Sequence, residues 1–211
     1  MGVRIAVFSD VVCPWCFVGK RRLERALDRL GLAGTTAVEW LPFELNPDMP
    51  AAGMPRAEYR ERKFGRERGA DLDRTMTEIG AAEGIAFALG AIERTPNTRA
   101  AHTVLAHAAD HGRADALKDA LLRAYFEDAR DIGDLDILLD VADGAGLGRD
   151  AVRAALADET LRARVVALER RASDIGVSGV PFFIVDDTWA VSGARSTEDW
   201  VTALTRHAPA A

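Results

Sequence analysis

The feature that most constrains this chain is a pair of cysteines, Cys13 and Cys16, separated by two residues. They are the only cysteines among its 211 residues. The segment before them, Val3 to Phe8, is apolar apart from one arginine and is typical of a buried strand. From Pro14 to Gly31, apolar residues recur at helical spacing. The cysteine motif is therefore predicted to lie between a strand and a helix.

A C-x-x-C pair at the start of a helix favours redox chemistry. Cys13 is predicted at the N-cap, where unpaired N–H groups and the helix dipole stabilise a thiolate, and Pro14 at the first helical position, where its missing N–H costs nothing. We therefore expect Cys13 to be the exposed nucleophile and Cys16, one turn further on, to be the more buried resolving thiol. Zinc binding is an alternative, but zinc needs four ligands and no histidine has partnered spacing near the motif, so we predict no metal. A pair of inert core cysteines is the other alternative.

The rest of the chain predicts two strand-containing parts separated by helices. Thr35 to Leu41 alternates like a second strand, and residues 56–175 show helical spacing with few convincing strands. The helical region has candidate N-caps at Asp71, Thr98 and Asp134, and the C-terminal part contains a strand from Pro181 to Val185, a second arm from Thr188 to Val191 and a helix from Ser196 to Leu204. The pattern predicts an α/β fold built from β-α-β and β-β-α parts (residues 1–55 and 176–211) with a large all-helical insertion (residues 56–175).

Charge and hydropathy restrict the partners and the compartment. The chain carries 33 acidic and 27 basic residues, so no general field attracts nucleic acid or anionic lipid. Tyr59 to Arg68 is nearly all charge at helical spacing, which is typical of a solvated helix face, and we assign it no function. Ser9 and Asp10 interrupt the first apolar run before a signal-peptide core could form, and no run of ~18 apolar residues follows. We expect a cytoplasmic protein without a membrane partner.

Several motifs together resemble one superfamily. They are Ser9 to Cys16, which includes Cys-Pro-Trp-Cys, then Pro42 to Pro47, Pro96 to Thr98 with His102, Gly179 to Phe183, and Ser192 to Ala194. This set is similar to the DsbA-like thioredoxin superfamily, in particular to its FrnE-type thiol-disulfide oxidoreductases, which are related to 2-hydroxychromene-2-carboxylate isomerases. The resemblance covers nearly the whole chain and implies a thioredoxin-like fold.

The resemblance also implies roles for residues outside the cysteine pair. The bond between Val180 and Pro181 is expected to be cis and to pack beside the dithiol, where the Val180 backbone would pair with a substrate chain. Asn97 to His102 is expected to begin a helix near the rim of the active site. From the residues alone, His102 is interpreted as a helix-surface or core-edge residue rather than a proton carrier.

Two further residues near the motif have expected roles. Trp15 stands where many periplasmic relatives have histidine, so we expect the helix terminus to lower the pKa of Cys13 less than in strongly oxidising relatives. We also expect Trp15 to be partly exposed as an apolar rim for substrate. Glu44 follows the second strand and is the candidate buried carboxylate that moves protons for Cys16. A surface or capping role for Glu44 remains open.

The function implied by the resemblance is thiol-disulfide exchange with protein or low-molecular-weight thiols, without a bound cofactor and with glutathione as a reductant or co-substrate. A glutathione-dependent cis-trans isomerase acting on a small aromatic or polyketide-like substrate is the alternative. Those relatives generally carry serine where Cys13 stands. A redox-sensing partner or holdase is a third, non-enzymatic interpretation. An apolar helix face in the insertion would allow a homodimer.

Overall fold

The computed structural model describes residues 2–207 and has the order of elements that the sequence predicts. The first part contains β1 (Arg4–Ser9), α1 (Pro14–Arg29), β2 (Ala37–Pro42) and β3 (Met54–Pro55). The helical region contains α2 (Arg56–Phe64), α3 (Arg66–Ala82), β4 (Arg94–Thr95), α4 (Arg99–Asp110), α5 (Ala114–Phe126), α6 (Leu135–Gly144), α7 (Arg149–Ala157) and α8 (Glu159–Asp174). The chain returns through β5 (Phe182–Val185), β6 (Trp189–Ser192) and α9 (Thr197–His207).

The main sheet has four strands in the order β2-β1-β5-β6. β1 pairs in parallel with β2 and antiparallel with β5, and β5 pairs antiparallel with β6. Because alternate side chains of a strand point to opposite faces, Ile5 and Val7 pack on one face and Ala6 and Phe8 on the other. Both faces of β1 are therefore covered, which explains its nearly unbroken apolar sequence.

Helices cover the two faces of the sheet. On one face, α1 and α9 pack against β1 and β5, with Trp200 buried at the centre of the cluster. On the other face, α8 packs through Ala172 against Ala6 and Phe8. The α/β class, the thioredoxin-like arrangement and the helical insertion predicted from the sequence are confirmed.

The insertion packs directly on the helix that carries the cysteines. Phe17 of α1 lies in one apolar cluster with Phe87 and Phe126, and the ring centroids are 6.0 and 6.3 Å away. The rings of Phe87 and Phe126 meet edge to face at 5.3 Å. The cysteine motif is therefore held between the sheet and the insertion.

Two details of the helical region differ from the sequence-based prediction. Asp71 is not an N-cap, because Gly65, with a φ of 75°, ends α2 and starts α3 at Arg66. In addition, Met54–Pro55 pairs antiparallel with Arg94–Thr95, so the region predicted to be helical contains a short strand. Asp134 is confirmed as a cap, because its carboxylate accepts hydrogen bonds from two backbone N–H groups of α6. None of the helices within residues 2–207 is long and apolar enough to cross a membrane.

Candidate active site

The two cysteines lie at the junction between β1 and α1. Cys13 is the N-cap of α1, in an extended conformation, and its carbonyl oxygen accepts hydrogen bonds from the N–H groups of Cys16 at 3.0 Å and Phe17 at 3.4 Å. Both thiols are free, and 4% of Cys13 and 1% of Cys16 is exposed. The expectation that Cys16 is the more buried is confirmed. The expectation of an exposed Cys13 is wrong, because only 4% of it is exposed and its thiol bonds to the Val180 carbonyl.

The segment before β5 lies against the dithiol. The Val180–Pro181 peptide bond is cis, and the Cys13 thiol donates to the Val180 carbonyl oxygen at 3.6 Å. A Cβ atom at position 19 of α1 would lie 2.9 Å from Cγ of Pro181. Gly19 therefore lets Pro181 pack against the cysteine-bearing helix.

A cavity of about 360 Å³ opens beside Cys13. It lies between the cysteine motif and helices α2, α3 and α5 of the insertion, and Trp15, Val180 and Phe64 are among its lining residues. Trp15 is 40% exposed, as the sequence predicts for a rim residue. Cys13 lines this cavity and Cys16 does not. A substrate in the cavity would meet Cys13 first.

In the reduced protein, the pKa values of the two thiols are shifted in opposite directions. The hydrogen bond with Cys16, followed by burial, raises the pKa of the Cys13 thiol. Burial acts against ionisation of Cys16 too, but the hydrogen bond from Cys13 and the positive charge of Lys118 outweigh it and lower the pKa of Cys16. The expectation of a lowered Cys13 pKa is therefore wrong for the free pair, because the first thiolate forms on Cys16.

Three buried ionisable side chains, Asp10, His102 and Lys118, form a cluster that acts electrostatically on the dithiol. The Asp10 carboxylate lies 3.3 Å from Nε2 of His102 and accepts the N–H of Leu45 at 2.8 Å. Burial would raise the pKa of Asp10, but the bond to His102, its charge and the Leu45 N–H lower it. Burial also lowers the pKa of Lys118, and the negative charges of Cys16 and Asp10 oppose this effect. The interpretation of His102 as a surface or core-edge residue is wrong, since only 2% of it is exposed.

Glu44 lies in a different buried group. One carboxylate oxygen accepts a hydrogen bond from Nε of Arg99 at 2.7 Å. Burial and the charge of Glu44 raise the pKa of Glu169, on α8, to about 8. Among the described residues, no hydrogen bond links Glu44 to either cysteine. A part of the sequence-based prediction, that Glu44 is a buried carboxylate, agrees with the structure.

Asn97 organises the start of α4. Its Oδ1 accepts the N–H of Arg99 at 3.0 Å and its Nδ2 donates to the Met49 carbonyl at 2.9 Å. Thr98 is the N-cap residue, as predicted, although its side chain makes no capping bond. Asn97 does not line the cavity beside Cys13. It fixes the helix that carries His102.

Sequence reasoning missed Asp10 and Lys118 as site residues. Lys118 stands on α5 with Leu121, Leu122 and Tyr125, which are buried at the spacing of one helix face. A lysine on an apolar face is the signal that would have identified it. No group of three or more histidine, cysteine or acidic residues in the range 2–207 is arranged to hold a metal ion.

Comparison with known proteins identifies the family to which this chain belongs. The family model described as DSBA-like thioredoxin domain matches residues 4–205. The crystal structure of a probable DsbA oxidoreductase from Streptomyces coelicolor is 35% identical, with a TM-score of 0.89, and the match covers 99% of this chain and 93% of that one. The uncharacterised protein YwbO of Bacillus subtilis strain 168 is 27% identical over 97% of this chain and 96% of its own length.

Two more distant solved structures share the fold. The cytosolic disulfide reductase DsbM from Pseudomonas aeruginosa, solved with glutathione, is 20% identical, with a TM-score of 0.67, and the match covers 96% of this chain and 98% of that one. A 2-hydroxychromene-2-carboxylate isomerase is 16% identical, with a TM-score of 0.73, over 96% of this chain and 95% of that one.

Proposed function

Because this chain belongs to the family of DSBA-like thioredoxin domains, we propose that it catalyses thiol-disulfide exchange through Cys13 and Cys16. One observation carries the assignment of roles: Cys13 lines the cavity beside the motif, whereas Cys16 lies behind it and does not. Two thiols at the start of one helix, of which one lines a cavity, are what a two-step exchange requires.

The first step uses the proton shared by the pair. When a disulfide reaches Cys13, the Cys13 proton passes to the Cys16 thiolate, and the Cys13 sulfur attacks one sulfur of the substrate. The substrate S–S bond breaks, a mixed disulfide with Cys13 forms, and the other half leaves as a thiolate. Trp15 and Pro14 shape the mouth of the cavity, and the Val180 backbone, held by Pro181, pairs with the peptide part of a substrate.

The second step needs Cys16 as a thiolate again. Its proton passes to the Asp10 carboxylate, the anionic member of the buried cluster with His102 and Lys118, and the charge of Lys118 stabilises the thiolate. Cys16 then attacks the Cys13 sulfur, the intramolecular disulfide forms and the second half of the substrate leaves as a thiolate. The substrate gains two electrons and the protein dithiol loses two. Asn97 acts by positioning α4, which carries His102. Glu44 is a secondary candidate acceptor for the Cys16 proton, because Arg99 already binds its carboxylate.

The proposal extends to the setting of the reaction. The pair works without a bound cofactor in the cytoplasm and exchanges with protein or low-molecular-weight thiols, with glutathione as the reductant. The related fold of DsbM, described as a cytosolic reductase and solved with glutathione, supports this setting. The net charge of −6 opposes binding to nucleic acid. A homodimer through an apolar helix face is tested by the molar mass in solution.

The test is disulfide reduction by wild-type protein and by Cys13→Ser and Cys16→Ser variants. With insulin and with glutathione disulfide as substrates, Cys13→Ser is expected to remove all activity. Cys16→Ser is expected to stop at a mixed disulfide on Cys13, which intact mass measurement detects. Reduction that survives Cys13→Ser would refute the dithiol mechanism. The reduction potential, measured against a glutathione buffer, then gives the direction of exchange.

The cavity also favours a second candidate, a glutathione-dependent cis-trans isomerase of a small aromatic or polyketide-like compound. A volume of about 360 Å³ suits one small molecule. Such an isomerase would need one sulfur nucleophile at most, whereas disulfide exchange needs both. Glutathione-dependent isomerisation that survives Cys16→Ser would favour this candidate over the dithiol oxidoreductase.

A further inference from the structure

Helix α2 turns one distinctive face towards the cavity beside Cys13. Five α2 residues line it, and their spacing is that of a single helix face: Arg56, Tyr59, Arg60, Lys63 and Phe64. Although α2 has no buried residue, this face borders the cavity that Cys13 also lines. Two of the three cations in this wall, Arg60 and Lys63, belong to the charged segment that the sequence presents as a solvated face, and Arg56 precedes it.

The positive charge of this wall is only partly neutralised. Arg56 and Arg60 both bind the carboxylate of Asp73, at 2.9 and 2.6 Å. Asp73 is the only acidic residue among those that line the cavity. Lys63 has neutral partners, the hydroxyl of Tyr59 at 2.7 Å and the amide oxygen of Asn46 at 3.2 Å. Three cations against one carboxylate leave an excess of positive charge within the cavity.

Two polar atoms of lining residues are buried between the elements that form the wall. Within the described part of the chain, Nε of Arg60 and Oγ1 of Thr95 are buried and have no hydrogen-bond partner. Thr95 is 3% exposed and lines the same cavity as Arg60. Burial lowers the pKa of the Arg60 guanidinium, the charge of Asp73 opposes this effect, and the charge of Arg56 adds to it. A carboxylate in the cavity would stabilise the positive charge of Arg60.

The rest of the wall is apolar. Trp15, Phe64, Leu72 and Met76 line it, and Cys13 lies at the motif side. We propose that this cavity takes a low-molecular-weight disulfide with an apolar body and a carboxylate, the carboxylate lying against the cations of α2 and a sulfur against Cys13. The inference rests on the proposed dithiol function and names the substrate class for it. The size of the cavity and the burial of Cys13 favour such a molecule over a folded protein disulfide.

The chemical step is the exchange described above. Cys13 attacks the nearer sulfur of the bound disulfide, and one carboxylate-bearing half leaves as a thiolate. Cys16 then attacks Cys13, so the other half leaves and the protein holds the Cys13–Cys16 disulfide. The disulfide of the small molecule is the oxidant, and no other co-reactant is needed.

The experiment compares an anionic aromatic disulfide with a neutral one. The reduced protein is mixed with 5,5′-dithiobis(2-nitrobenzoate), which carries a carboxylate on each ring, or with neutral 4,4′-dithiodipyridine, and the released thiol is followed by absorbance. The ratio of the two second-order rate constants measures the preference for the anion. We expect Arg60→Gln to lower this ratio about tenfold and Lys63→Gln about threefold, since each removes one charge from the wall.

Arg62→Gln is the matched control. Arg62 lies on α2 next to Lys63, carries the same charge and pairs with Glu58 on the solvent side, outside the cavity lining. We expect Arg62→Gln to show the same ratio of rate constants as the wild type when both are measured at the same salt concentration. Equal ratios for the wild type, Arg60→Gln and Lys63→Gln, or a fall in Arg62→Gln as large as that in Lys63→Gln, would overturn the substrate class. Wild-type protein that reacts with neither disulfide would instead contradict the dithiol function itself.

Discussion

Two lysines on apolar helix faces have different roles in this protein. Lys20 of α1 is 2% exposed, but its ammonium group pairs with Glu24 and lies 3.1 Å from the Asp115 carboxylate. Lys118 of α5 is also fully buried, and the negative charges that favour its ionised form include those of Cys16 and Asp10. Both ammonium groups lie 5.6 Å from the ring centroid of Trp40. Only Lys118 is positioned to act on the dithiol.

Replacing Lys118 by methionine should make the first thiolate harder to form. Without the buried cation, the pKa of Cys16 rises, and the reduced pair reacts more slowly with disulfides at neutral pH. Titration of the ultraviolet absorbance of the thiolate measures this shift. Lys20→Met is the control, because it removes an equally buried lysine that pairs with Glu24 and Asp115 instead. If both variants titrate like wild type, Lys118 has no electrostatic role at the dithiol.

Gly19 should be intolerant of a side chain despite its position inside a helix. Alanine normally stabilises a helix interior relative to glycine by about 0.5–1 kcal/mol. At position 19, however, the new Cβ would lie 2.9 Å from Pro181 and 3.4 Å from Phe183. We expect Gly19→Ala to lower the free energy of unfolding by about 1–2 kcal/mol in denaturant titrations.

Gly144 provides the comparison for that substitution. It is the last residue of α6, and no atom lies within 4 Å of a Cβ built there. Gly144→Ala should raise the free energy of unfolding by about 0.5 kcal/mol. A stabilising Gly19→Ala would show that α1 and the loop before β5 are not in close contact.

The sequence revealed the site residues unevenly. Cys13, Cys16 and Trp15 are recognisable because a Cys-x-x-Cys motif at a helix start favours redox chemistry over its alternatives. Asp10 and Lys118 come from the chain before the motif and from α5, more than 100 residues apart. Their proximity depends on how α5 packs against the sheet, and local periodicity does not encode it.

At the scale of elements, periodicity predicted the order of the main strands and helices, but not the boundary between two consecutive helices. The α2–α3 boundary depends on the positive φ of Gly65, which interrupts a run rich in arginine, glutamate and alanine, which are good helix formers. The two-residue pairing of β3 and β4 is too short to produce an alternating pattern. The cationic face of α2 borders a cavity only because α3 and α5 form its other walls, and the sequence of α2 alone does not show this.

Helix α8 makes stability depend on pH through Glu169. With a pKa of about 8, Glu169 keeps in the folded protein a proton that the unfolded chain loses above about pH 4.5. The free energy of unfolding should therefore fall as pH rises from about 4.5 to about 8. Because solvent screens this half-exposed group, we expect a decrease on the order of 1 kcal/mol.

The measurement is denaturant unfolding of Glu169→Gln at pH 5 and pH 8. Glutamine carries no titrating proton, so this variant should lose less stability over the interval than wild type does. Glu159→Gln, also on α8 but with a side chain that is 92% exposed, should keep the wild-type dependence. An unchanged pH dependence in Glu169→Gln would mean that Glu169 is ionised at neutral pH.

At the scale of the whole molecule, the insertion and the thioredoxin-like part share a core. Val11, Phe17 and Val18, which surround the cysteine motif, belong to the same apolar cluster as Phe87 and Phe126 of the insertion. Ion pairs add to this contact, since Arg22 and Arg25 of α1 both bind Glu83 beyond the end of α3. The division into residues 1–55 with 176–211 and residues 56–175 describes the order of the chain, and we propose that the two parts do not fold independently.

The two parts should therefore unfold in one transition. All four tryptophans, Trp15, Trp40, Trp189 and Trp200, lie outside the insertion, while most helical residues lie within it. Tryptophan fluorescence thus reports the thioredoxin-like part and far-ultraviolet circular dichroism mainly the insertion. We expect coincident denaturant curves, and the same coincidence in Phe87→Ala at a stability lower by about 3 kcal/mol. A circular dichroism transition that precedes the fluorescence transition would indicate an independent insertion.

The packing of Phe17 determines which segments must be exchanged together in a chimera of this protein and a relative. The residue follows Cys16 directly, yet its ring packs among insertion side chains from two other segments. A chimera joined at the chain boundaries of the insertion would pair one parent's Phe17 with the other parent's Phe87 and Phe126. Exchanging α1 together with the helices it contacts would keep each parent's packing intact. The unit that can be transplanted is therefore discontinuous in sequence and carries its own cysteines.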